Sequence, residues 1–78
     1  MNRVRWCLES GVNNSHLHQA SWFDRLKLAK HAASELPEAP DGKPRPYRIT
    51  RYEYADVVHG WERLVDVRLV LERLRSEK

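Results

Sequence analysis

The sequence predicts a mainly α domain with a small β component, an α+β fold with helices at about residues 21–36 and 51–76. Three observations carry this. Two segments open with helix-capping signatures, and apolar residues recur at helical spacing after each. A short alternating segment between them has one other alternating segment to pair with.

Val4, Trp6 and Leu8 alternate with Arg3, Arg5, Cys7 and Glu9, the period-two pattern of a strand. The same stretch also suits a short helix ended by Gly11, which gives the alternative of a three-helix all-α domain. Ser21-Trp22-Phe23-Asp24 has the form of a capping box, with Asp in place of the usual Glu. Trp22, Leu26, Ala29, Ala33 and Leu36 then recur three or four residues apart, and Pro37 ends the helix, because the residue before a proline is disfavoured in helical geometry.

Pro40-Asp41-Gly42 reads as a turn. Beyond it Tyr47 and Ile49 alternate with Arg48 and Thr50, so a strand at 46–50 is expected to pair with residues 3–9. Thr50-Arg51-Tyr52-Glu53 is a full capping box, with Ile49 and Tyr54 as its hydrophobic staple. Tyr54, Val57, Val58, Trp61, Leu64, Val65, Leu71 and Leu74 follow as a broad apolar stripe. A helix over 51–76 would be roughly 39 Å long at ~1.5 Å per residue, more than a body this size can bury. Its C-terminal part is therefore expected to meet another chain unless it bends near Gly60.

The chain has 78 residues and reads as one domain over 1–78. Such a body is small enough that its core is thin. Cys7 is the single cysteine, which rules out an intrachain disulfide and fits a reducing compartment, so a cytoplasmic location is expected. No apolar run approaches the ~20 residues that cross a bilayer as a helix. The net charge of +3 is spread evenly: residues 1–50 supply it in increments of one per segment, and 51–78 carry six charges of each sign. No segment is a basic block.

Candidate chemistry is sparse. Cys7, His16 and His18 are zinc-ligand types, but no fourth ligand is evident. Cys7 with His31 or His59 supplies the residue types of a nucleophilic pair, which spacing cannot specify. No catalytic residue, metal or cofactor is expected, and the chain reads as non-enzymatic.

Two binding readings remain. The first is a protein-binding regulator or inhibitor acting on a larger protein partner, with Val67, Val70, Leu71 and Leu74 at the interface, a homodimer being the other form of the same idea. Short motif-free chains of this kind occur among phage and mobile-element proteins. The alternative is nucleic-acid binding through Lys43, Arg45, Tyr47, Arg48 and Arg51, where cations supply phosphate attraction and the aromatic a stacking surface.

Overall fold

The computed structural model describes residues 2–56 and 60–75. Its order is β1 (Arg3–Ser10), β2 (Gln19–Phe23), α1 (Leu26–Ser34), β3 (Tyr47–Asp56) and β4 (Glu62–Arg73). The strands form one antiparallel sheet in the order β2-β1-β3-β4. This overturns the mainly helical expectation and its three-helix alternative: four strands and one nine-residue helix make the described chain.

Both expected long helices are corrected. Ser21 and Trp22 belong to β2, paired with Leu8 and Cys7. The helix begins four residues later, after Arg25, which forms no side-chain cap. Leu26, Ala29 and Ala33 keep their spacing, and the two alanines are buried against the sheet. Thr50 caps nothing. It lies buried in the middle of β3, opposite Cys7 on one side and Leu69 on the other. Residues expected to continue as helix instead form the second half of β3 and all of β4, while Val57, Val58 and His59 lie outside the described residues.

The misleading helical spacing has a physical origin in the β3–β4 register. Ile49 faces Leu71 but Thr50 faces Leu69; Glu53 faces Asp66 but Tyr54 faces Leu64. Val70 and Val65 are thus extra residues on β4, the signature of two β-bulges. The β4 residues sharing one face are Leu64, Val67, Leu69 and Glu72, spaced three, two and three apart. A regular strand would space them by two. The bulges stretch that period toward the helical one.

Connectivity follows from the sheet order. β2 and β3 both run antiparallel to β1, hence parallel to each other, and parallel strands need a crossover. The helix supplies it, passing over β1 and touching β1, β2 and β3 but not β4. Residues 3–10 do pair with 47–54, as the centre of a four-stranded sheet rather than as an isolated pair. Leu8, Ile49, Ala29 and Ala33 form the core between helix and sheet, with Trp6, Phe23, Leu26, Ala32 and Tyr47 around it.

The loops are tight at two glycines. A Cβ on Gly11 would stand 1.7 Å from the His16 carbonyl oxygen, because the 11–18 connection folds back through an Asn13–His16 bridge. Gly42 takes φ +78° in the expected turn, its N–H donating to Ala39 O while Ala39 N–H donates to Lys43 O.

Two outcomes test this fold. Ile49→Ala, at a fully buried β3 residue packed against the helix, should destabilise by about 2–5 kcal/mol in a denaturant melt; an unchanged melt would mean Ile49 is not core. NMR should give cross-strand contacts from Thr50 to Leu69 and from Tyr54 to Leu64. Contacts from Thr50 to Val70 would remove the first bulge.

Candidate functional site

A strand has two faces, and cross-strand partners share one. Trp6, Leu8 and Ile49 point to the helix. Their neighbours Cys7, Trp22, Thr50 and Tyr52 point the other way, together with Leu64, Val67 and Leu69. No described element covers this second face. Trp22 is 50% exposed and Leu69 56%. The Trp22 and Tyr52 rings meet at 5.0 Å between centroids, Tyr52 stacks on Tyr54 at 6.5 Å, and the Arg5 guanidinium lies 5.4 Å over Tyr54. Aromatic and aliphatic side chains from three strands thus form one continuous apolar strip. The informative feature is this contiguity, since single exposed apolar residues are ordinary.

The charges bordering the strip are matched within the chain. Glu62 pairs with Arg3 at 2.7 Å and with Arg5 at 3.4 Å, and Arg48 pairs with Glu72 at 3.5 Å. Beyond the reach of the helix, the other face of the same β3–β4 arm is ionic. Arg51 meets Glu53 at 3.0 Å and Asp66 at 3.9 Å, Arg68 meets Asp66, and Asn2 donates to Glu53 at 2.7 Å. Asn2, followed by Arg51, holds the Glu53 carboxyl below its ordinary range. Where the helix ends, one face of the arm is therefore built for water and the opposite face is not.

Cys7 lies on the open face but is buried under its larger neighbours. Burial, and secondarily the Glu9 carboxylate, push its thiol upward, and burial likewise raises Tyr52. A thiolate nucleophile needs the opposite shift. Among the described residues, no three His, Cys, Asp or Glu side chains converge on a metal position. His16 and His18 pack ring to ring at 5.1 Å in the 11–18 connection, with His16 Nδ1 2.9 Å from Asn13 Oδ1.

The other residues singled out from sequence are dispersed. Val67 lies at the middle of the open face, opposite Tyr52. Leu71 lies on the helix side opposite Ile49, and Val70 sits at a bulge. Leu74 is beyond the strand, in a groove with Lys43 and Arg45. Of the basic segment, Arg48 is on the open face, Arg51 is in the ionic cluster on the other, and Tyr47 lies under the Arg73 guanidinium at 4.8 Å. Sequence reading missed Trp22, Tyr52 and Tyr54 as a surface group. Their alternation with Ser21, Phe23, Arg51 and Glu53 was the available signal.

Comparison with protein families, curated proteins and solved structures finds no match. No helix of the described residues is long and apolar enough to cross a membrane.

The Cys7 environment makes a direct prediction. In the folded chain at pH 8 the thiol should resist iodoacetamide, and in denaturant it should react at once. Equal rates would contradict its burial. Because folding raises this pKa, the unfolded chain ionises first as pH rises. The contribution of Cys7 to stability should then be constant below the ordinary thiol value of 9.0 and decline above it, a decline that Cys7→Ala should lack.

Proposed function

We propose that this chain is a non-enzymatic regulator or inhibitor that acts by docking the open face of its sheet onto a larger protein. The observation that carries the reading is the contrast between the two faces of the β3–β4 arm. Arg51, Glu53, Asp66 and Arg68 occupy one, and Tyr52, Tyr54, Leu64, Val67 and Leu69 the other. Interfaces place an apolar, aromatic-rich centre inside a polar rim, and binding energy concentrates in Trp, Tyr and Arg anchors. Trp22, Tyr52 and Arg5 have that chemistry here.

The partner's chemistry follows from the rim. Arg3, Arg5 and Arg48 already have carboxylate partners within the chain, so the target need not supply matching charges. It has to present an apolar, sparsely charged surface. Such a chain acts by occupying that surface, and the reading places it in the cytoplasm with its target.

A photo-crosslinking residue placed in turn at Tyr52, at Val67 and at Lys30 on the exposed side of α1 tests the proposal. In native extract, one discrete adduct should form from the first two positions and not from Lys30, and Leu69→Asp should abolish it. Adducts from Lys30 alone, or equal adducts from all three, would overturn the reading. Adducts at twice the chain mass, matched by dimer mass in light scattering, would show a second copy in place of the larger protein.

A further inference from the structure

At the end of the sheet where β4 stops, the loop before β3 and the residues after β4 enclose a groove of about 270 Å³ lined by Lys43, Pro44, Arg45, Pro46, Arg73, Leu74 and Arg75. Four of these seven are cations, and none is acidic. Among the described residues, Asp41, bonded to Arg75 at the margin, is the carboxylate paired with a lining cation. Arg75, then the Lys43 N–H, hold it below its ordinary range, so it stays ionised. Among the described residues, the other three lining cations, Lys43, Arg45 and Arg73, have no carboxylate partner. Crowding like charges is unfavourable unless an anion sits among them.

The guanidinium groups are also fixed in position. Arg45 Nε donates to Pro37 O at 3.0 Å, Arg73 Nη2 to Arg45 O at 2.9 Å, and Arg75 Nη1 to Val12 O. Arg73 is further held over the Tyr47 ring. Each named donation uses one N–H of a guanidinium that carries five donors. A site whose donors are preset loses less entropy on binding. These bonds tie the loops to the end of β4, but that tying calls for hydrogen bonds and not for a common cavity.

We propose that this groove binds a phosphate monoester, with the phosphate held by Arg45, Arg73 and Lys43 and its ester substituent against Pro44 and Leu74. Arginine forks match phosphate oxygens two at a time, and a dianion offsets the excess charge better than one carboxylate would. At about 270 Å³ the groove has room for a phosphate and part of its substituent rather than for a bare ion only. This site is separate from the open face and stands whether or not that face docks a protein.

The test is an NMR titration of the whole chain with four probes: inorganic phosphate, adenosine, adenosine 5′-monophosphate and a 5′-phosphorylated oligonucleotide. The monophosphate should shift the Arg45, Arg73, Leu74 and Arg75 amides saturably, adenosine should not, and added salt should weaken the binding. An oligonucleotide that binds only when 5′-phosphorylated, and more tightly than the mononucleotide, would place the monoester at a strand end. One that binds equally well without the phosphate would overturn the monoester assignment. Arg73→Gln should weaken monophosphate binding roughly tenfold. Should that variant fail to fold, Lys43→Gln, at an exposed tip, should melt like the wild type and still bind more weakly. Binding unchanged in Lys43→Gln and Arg73→Gln, or no saturable shift with the monophosphate, would overturn the proposal.

Discussion

A single short helix has to cover a sheet much larger than itself, and the rest of the molecule follows from that mismatch. At ~1.5 Å per residue the nine residues of α1 span roughly 14 Å, whereas the twelve of β4 span roughly 40 Å at ~3.3 Å each. The helix crosses β1 because it must join two parallel strands on either side of it, so it buries Leu8 and Ile49 and leaves β4 uncovered. The molecule is accordingly long, 49 × 22 × 17 Å. A layered domain needs an apolar face buried against something. Here the helix side of the projecting arm resolves the problem with ion pairs, and the other side keeps its apolar residues.

The two bulges connect this architecture to the surface it displays. With Val65 and Val70 set out of the pairing, Leu64, Val67 and Leu69 fall on the face of Tyr52 and Trp22, while Asp66 and Arg68 fall on the face of Arg51. Removing either bulge would transpose part of β4 between faces, putting charges among the aromatics and leucines among the ion pairs. The bulges also interrupt a long exposed edge, one of the devices that discourage unwanted strand pairing. The apolar strip and the ionic strip are thus products of the same two insertions.

How much of this was legible in the sequence depends on period. The alternation of Val4, Trp6 and Leu8, and of Tyr47 and Ile49, is undisturbed, and both segments suit strands, although 3–9 also suits a short helix. The Pro40-Asp41-Gly42 turn and the Leu26-Ala29-Ala33 face are likewise local. From Arg51 onward the reading failed because bulges changed the spacing, and because a Thr-x-x-Glu box is equally compatible with alternating strand residues. The enrichment in Tyr and Val across 52–70 was the contrary evidence, since β-branched and aromatic residues suit a pleated surface. The functional surfaces were less legible still. The open face combines residues from β1, β2, β3 and β4, and the basic groove joins residues 43–46 to 73–75. Only the sheet register brings them together. The basic segment reads as one arm, yet alternation sends Arg48 and Arg51 to opposite faces.

The helix covers one face of β1, β2 and part of β3, and no described element covers the other face. Solvent paramagnetic relaxation of methyl and indole protons, measured with a soluble gadolinium chelate on dilute chain, tests this arrangement most directly. Val67, Leu69 and the Trp22 indole should relax strongly, while Leu8 and Ile49 should be protected. Leu69 and Trp22 protected to the same degree as Ile49 would contradict an open face and the account built on it.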